Sequence, residues 1–317
     1  MDNIKKVIKA ILKARNIIIS AHRDPDGDAI GSILALGLAL EKMGKRVYMV
    51  SQDGVPKRYA KLPGAKRIIR RTNKRCDLAI AVDCDDKEVL DKTFETFKKA
   101  RTILEIDHHE VRKNFGHLSI IDPKAAATGE MVYKLLKKLR TPITKEIAQN
   151  LLTSMIVETN SFSFPDTSSF TFRACAELLD TGLDFYKLTD MIYWSKTKEA
   201  IILSGLCLSR CKFLENNKIA WSIVRKKDFD TVKGKDEDID AAADEIRAIK
   251  GVKIVILFRE KSKKVLRVSL RSKGKINVAY LAEIYGGGGH SDVAGCRIPN
   301  NSKSIKGLLA QAKKLVR

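Results

Sequence analysis

Hydrophobic positions follow two periods that take turns along the chain. Ile4, Val7, Ile8, Ile11 and Leu12 recur every three or four residues, which predicts an amphipathic helix over 3–15 with Lys5, Lys6, Lys9 and Lys13 on its polar side. NIIIS (16–20) is short and almost wholly apolar, the pattern of a strand covered on both faces. A polar loop, AHRDPDGD, leads into a helix over 29–44 that stops at Gly44. Further strands are predicted at 45–51, 76–84, 101–107 and 118–122, with a charged helix over 86–100, while VPKRYAKLPGAK reads as a loop. Strands that alternate with helices make βαβ units, so the first part is α/β, built on a mostly parallel sheet with flanking helices.

From 128 to 210 the period is helical throughout, in segments near 128–139, 144–158, 168–181, 184–195 and 197–209. After 210 it changes again. KFLENNKIAWSIVRK reads as a hairpin turning at Asn216-Asn217, and KIVILFRE and KVLRVSLRS read as paired strands. Helices are predicted over 239–249 and 303–316. The expected organisation is therefore an α/β domain over 1–190, a helical connector over 191–210 and a smaller α+β domain over 211–317.

Charge narrows the partners. Sixty Lys and Arg against 38 Asp and Glu leave +22, which favours an anionic partner such as nucleic acid or a nucleotide. No apolar run approaches the roughly 20 residues of a spanning helix, so no membrane partner is expected. The Lys-interrupted start lacks a signal-peptide core, and the cysteines (Cys76, Cys84, Cys175, Cys207, Cys211, Cys296) form no CxxC pair. The expectation is a reduced, cytoplasmic protein without a thiolate metal site. Trp194 and Trp221 are expected in the core rather than as base-stacking platforms. The oligomeric state stays open, a homodimer included.

Candidate chemistry collects after the strands. His22, Asp26 and Asp28 follow the first, Asp83 ends the apolar run CDLAIAVD, and Asp107, His108 and His109 follow RTILEI. Taken singly, DPDGD is ordinary turn chemistry and an Asp at a strand end is commonly structural. Together they lie where an open parallel sheet gathers its functional groups, outside the carboxyl ends of the strands. Carboxylates with imidazoles and no thiolate suit Mn²⁺ or Mg²⁺, and the surplus of ligands points to two ions able to promote in-line phosphoryl displacement. Glu158, closing a helix before a Ser/Asn/Pro-rich loop, either joins that set or is a solvated helix end. Four glycines in GGGGHSDVAG, with His290 after them and Arg271-Ser272 upstream, form a candidate phosphate or carboxylate grip through Gly287, Gly288 and Gly289. The spacing is neither a P-loop nor a Rossmann fingerprint.

These segments resemble the DHH phosphoesterase family in its two-domain form with a DHH-associated C-terminal domain. HRDPDGDAIGS, AVDC, IDHH and GGGGHSDVAG are similar to four of its ordered motifs, spanning nearly the whole chain. The likeness is strongest to the NrnA-type branch, which degrades short oligonucleotides and dephosphorylates 3′-phosphoadenosine 5′-phosphate, and more distant to the RecJ exonucleases. The resemblance implies an active site in the cleft between the domains. It also implies that His22, Asp26 and Asp83 hold one Mn²⁺, and that Asp28, His108 and Glu158 hold another, with Asp83 bridging. By the same likeness His109 contacts the scissile phosphate with Asp107 behind it, and Arg271 and His290 grip the substrate phosphate. One departure stands out: the fourth family motif reads Asp-Thr-Gly, whereas this chain has Glu158-Thr159-Asn160.

The expected activity is a Mn²⁺-dependent phosphoesterase in which a hydroxide bridging two ions attacks phosphorus. The alternatives are a RecJ-like single-strand exonuclease, a linear or cyclic dinucleotide phosphodiesterase and, least favoured, a pyrophosphatase or polyphosphatase. A non-catalytic nucleic-acid-binding replication scaffold is the reading outside enzymology.

Overall fold

The computed structural model describes residues 2–194, 196–289 and 291–316, with the backbone alone for Asp2, Glu237, Asp240 and Ala241. The chain divides into two compact units, residues 1–195 and 196–317. In the first, elements run in the order α1 (Asp2–Lys13), β1 (Asn16–Ser20), α2 (Gly27–Lys42), β2 (Arg46–Val50), β3 (Leu78–Val82), α3 (Phe94–Phe97), β4 (Thr102–Asp107), β5 (Leu118–Ile121), α4 (Thr128–Lys138), α5 (Lys145–Glu158), α6 (Ser169–Leu179) and α7 (Phe185–Tyr193). Among the described residues the strands form one five-stranded sheet, ordered β2-β1-β3-β4-β5, with every neighbouring pair parallel.

The apolar runs account for this sheet. All five residues of β3 are buried, so the strand is covered on both faces and no alternation appears in its sequence. Ile17 and Ile19 join the larger core with α2, α4 and α5, whereas Ile18, Ala79 and Ala81 face a smaller core with Leu90 and Phe97. The α/β architecture expected from the pattern is the one observed.

The stretch 86–100, expected as one helix, is broken. A 3₁₀ segment, Lys87–Thr93, precedes the short α3, and Asp91 within it has φ 43°, a kink in the helical path. The Val89 carbonyl there accepts the Arg23 N–H at 2.8 Å, a partner an unbroken helix would not allow it. That bond ties the segment to the loop after β1.

The second unit continues with α8 (Lys198–Ser209), β6 (Lys212–Leu214), β7 (Ile219–Val224), α9 (Lys226–Val232), α10 (Asp240–Arg247), β8 (Ile254–Glu260), β9 (Val265–Ser272), α11 (Ala279–Glu283), β10 (Gly288–Gly289), β11 (Val293–Pro299) and α12 (Ser302–Lys314). Among the described residues its sheet runs β10-β11-β9-β8-β7-β6, antiparallel except for β7 with β8. The β6–β7 turn uses left-handed φ at Glu215, Asn216 and Asn217, close to where the two asparagines predict it. Alternate residues of β8 face opposite cores: Val255 and Leu257 pack with α8 and α10, Ile256 and Phe258 with α11 and α12. Within 191–210, α7 ends in the first unit and α8 packs on β7 in the second.

Trp221 packs edge-on against Phe258, but Trp194 is 78% exposed, contrary to its expected place in the core. Among the described residues no helix is long and apolar enough to cross a membrane. All the cysteines are free thiols.

Candidate active site

Each functional loop begins where a parallel strand stops. After β1 the chain reaches Asp26, which caps α2 by accepting the N–H groups of Asp28 and Ala29 at 2.9 and 3.0 Å through Oδ1. Asp28, in the first turn, is fully buried. Its Oδ2 accepts the Thr128 N–H at 2.8 Å, and its Oδ1 accepts the Gly129 N–H at 3.1 Å and the Ser154 hydroxyl at 2.6 Å. These amides open α4, whose N-cap position is Ala127 and makes no side-chain cap bond, so a carboxylate from α2 satisfies them instead. Gly129 makes this possible: a Cβ there would lie 2.0 Å from Ser154 Oγ.

Asp83 directly follows β3 and adopts φ 59°, a left-handed backbone that is costly without glycine. Its buried carboxylate faces three imidazoles. Oδ2 is 3.4 Å from His22 Nε2, while Oδ1 is 3.8 Å from His108 Nε2 and 3.9 Å from His109 Nδ1. Burial alone would raise its pKa. The His22 hydrogen bond and the three histidine charges prevail and hold it well below the usual carboxylate range. Asp28 goes the other way, pushed up to about 6 by burial and by the charge of Asp83, with His108 opposing.

The histidines are oriented from behind. His22 Nδ1 lies 2.7 Å from the Arg23 carbonyl and His108 Nδ1 lies 3.2 Å from the Ala125 carbonyl. A carbonyl only accepts, so Nδ1 carries the proton and Nε2 of the neutral ring is left with a lone pair aimed at the cluster. His108 Nε2 stands 3.6 Å from Glu158 Oε1 and 3.7 Å from Asp28 Oδ2. His109 Nδ1 donates to Asp107 Oδ1 at 2.6 Å. Burial works against charge on His22 and His109. Asp83 and Asp26 outweigh it at His22, raising its pKa to about 10, and chiefly the Asp107 hydrogen bond and the Asp83 charge raise that of His109 to about 9.

Three sets of side chains each bring candidate ligand atoms within 4.8 Å of one another: His22, Asp26 and Asp83; Asp28, His108 and Glu158; and Asp83, His108 and His109. Carboxylate oxygens and imidazole nitrogens form a donor set suited to hard or borderline divalent cations, which would displace the protons these imidazoles carry. Cys84, next to Asp83, stays apart, its thiol turned to the Val82 carbonyl and its pKa raised by burial. Sequence reasoning missed Arg112. Its side chain is 8% exposed, its Nε donates to Asp107 Oδ2 at 3.1 Å and its Nη2 to Glu105 Oε1 at 2.6 Å. Glu105 and Asp107, two apart on one face of an otherwise apolar strand, were the available signal.

In the second unit the candidate grip is differently engaged. Arg271 Nε lies 3.3 Å from Asp244 Oδ1, which Arg247 also approaches at 3.0 Å. Ser272 is buried and its hydroxyl donates to the Ile276 carbonyl at 2.6 Å, bracing the loop. Gly288 and Gly289 form β10 against β11, and a Cβ on Gly287 would lie 2.1 Å from the Gly295 carbonyl. Close approach of two backbones therefore explains Gly287 without a ligand. His290 lies outside the described residues.

Residues 16–156 match the DHH family, N-terminal domain, and residues 218–317 match the DHHA1 domain. The chain is 33% identical over 299 residues to the bifunctional oligoribonuclease and PAP phosphatase NrnA of Thermus thermophilus, which spans 92% of this chain and 88% of that protein. It is 27% identical to the cyclic-di-AMP phosphodiesterase GdpP of Bacillus subtilis over 95% of this chain and 48% of that one. The crystal structure of an exopolyphosphatase-related protein from Bacteroides fragilis is similar with a TM-score of 0.93 at 25% identity, covering 98% of this chain and 95% of the other.

Proposed function

The chain belongs to the DHH family and is a hydrolase, and from that premise we propose that it is a phosphoesterase dependent on divalent metal, acting on short oligonucleotides, on a 3′-phosphorylated nucleotide such as 3′-phosphoadenosine 5′-phosphate, or on both. The observation that carries the reading is the convergence of three ligand-type clusters on Asp83 and His108. The relative from Thermus thermophilus, named for both activities, supports the substrate class.

His22, Asp26 and Asp83 would hold one cation, and Asp28, His108 and Glu158 another, with Asp83 serving both. Such cations, Mn²⁺ by preference and Mg²⁺ as the alternative, supply Lewis acidity and neutralise charge on a phosphoryl group under attack by water. The protein's own part is orientation. Carbonyls behind His22 and His108 take up Nδ1–H, so that Nε2 is the nitrogen each ring would turn to a cation once its proton is displaced, and the amides of α4 hold Asp28 in place. Asp107 fixes His109 by accepting its Nδ1–H and favours its charged form, whose Nε2–H would donate to a phosphoryl oxygen as charge builds there. Arg271, with the glycine run and His290, would take the substrate's terminal phosphate. An excess of 22 positive charges raises the local concentration of such anions, an effect that salt weakens.

A linear or cyclic dinucleotide is the second reading, favoured by the likeness to the cyclic-di-AMP phosphodiesterase. One series tests both: 2-mers, 5-mers and 20-mers, 3′-phosphoadenosine 5′-phosphate, cyclic-di-AMP and pyrophosphate, each with Mn²⁺, Mg²⁺ or EDTA. The proposal expects metal-dependent turnover that falls from 2-mer to 20-mer. Faster cleavage of the 20-mer would favour a RecJ-like exonuclease, and binding without cleavage in every arm would favour the scaffold.

A further inference from the structure

The opposite end of the same sheet carries a second concentration of charge. A hollow of about 380 Å³ opens there, rimmed by Lys6, Lys9, Lys13, Arg15 and Arg101. The three lysines lie three and four residues apart, on one face of α1. Arg15 directly precedes β1 and Arg101 directly precedes β4, so rigid strand ends place them. Among the described residues neither arginine, nor Lys9 or Lys13, makes an ion pair within 4.0 Å.

A row of helix lysines alone would be a solvated face. Here two arginines from separate segments reach the same concavity, and its floor is largely apolar: Ala10, Ala14, Leu78 and Thr102. Asp77, the one carboxylate at the rim among the described residues, accepts the N–H groups of Arg15 and Asn16, both at 2.9 Å, through Oδ2. Its place is thus set by the start of β1, and the surrounding cations outnumber it. An excess of positive charge around a largely apolar floor is the complement of a molecule with an anionic group and an apolar body. Arginine forks match phosphate oxygens, and the volume lies within the range of about 300–1,000 Å³ seen for small-molecule sites.

We propose that this hollow is a second binding site, for a small phosphate ester of nucleotide size. It is distinct from the carboxylate and imidazole cluster. That cluster follows the carboxyl ends of β1, β3 and β4, whereas the hollow adjoins their starts, a strand length of roughly 17 Å away at about 3.3 Å per residue. The inference stands independently of the substrate assigned above.

Amide NMR titration of the full chain tests it, reading Ala10, Ala14, Leu78 and Thr102 separately from the residues around Asp83. The probes are adenosine 5′-monophosphate, inorganic phosphate, and sodium chloride at matched ionic strength. The nucleotide is expected to shift the four hollow amides saturably, at least tenfold more tightly than inorganic phosphate, and at least tenfold more weakly in the Lys13→Ala/Arg101→Ala double variant. That variant should keep its phosphoesterase rate on a 2-mer, which separates the hollow from the active site and shows that the fold is intact. No saturable shift at these amides, an equal response to chloride, or an unchanged affinity in the double variant would overturn the site. Equal affinity for phosphate and nucleotide would overturn its assignment to an ester with an apolar body.

Discussion

The two charged regions assigned to substrate chemistry are assembled on opposite terms. Around Asp83 each imidazole uses one nitrogen for an anchor, and the ligand-type atoms are turned inward toward one another. In the second unit Arg271 already faces Asp244, Ser272 is bonded into its loop, and Gly287 is explained by contact with β11. The first region has its ligand-type atoms already turned toward one another, as the proposed cations would require. The second would have to exchange an internal partner for the proposed phosphate. Substitutions in the first should therefore strike stability and catalysis together, and those in the second should strike substrate use alone.

The largest effect on folding is expected at Arg112. Arg112→Met takes the buried guanidinium away from Glu105 and Asp107, leaving Glu105 with only the Phe115 and Gly116 N–H groups and Asp107 with only His109, and should lower the unfolding free energy by about 3–5 kcal/mol, read by denaturant titration. A loss below 1 kcal/mol would show that the network behind His109 is not under strain from its own charge. Next in size, Arg271→Ala should lower kcat/KM by about 10²–10³ with little change in melting temperature. An equally large loss of stability would erase the contrast between the regions.

The smallest effect concerns pH. In EDTA, the pKa of His109 is raised from 6.5 to about 9 in the folded chain, so its charge stabilises fully below 6.5 and the contribution is lost as pH rises through 9. The stability difference between wild type and His109→Gln should therefore shrink from pH 6.5 to 9. A difference that grows over this range would contradict the Asp107–His109 pairing.

Much of this architecture was legible in one dimension. Apolar runs at 16–20 and 76–84 announced strands covered on both faces, and acidic and imidazole residues after them marked the loops that converge. What stayed hidden depends on contacts between distant segments. Thr128, Gly129 and Ser154 hold Asp28 across 100, 101 and 126 residues of chain, and no local pattern encodes that. The break at Asp91 accompanies a single backbone bond from Arg23 to Val89. Gly287 looked like a ligand loop because close packing and ligand approach ask for the same missing Cβ.

The central claim is that Asp83 serves two cations at once. Electron paramagnetic resonance on Mn²⁺-loaded protein, combined with metal counting, tests it most directly. Wild type should bind two Mn²⁺ per chain with an exchange-coupled signal, and Asp83→Ala should lose the coupling and at least one ion. One ion per chain in wild type, or two uncoupled ions unaffected by Asp83→Ala, would contradict it.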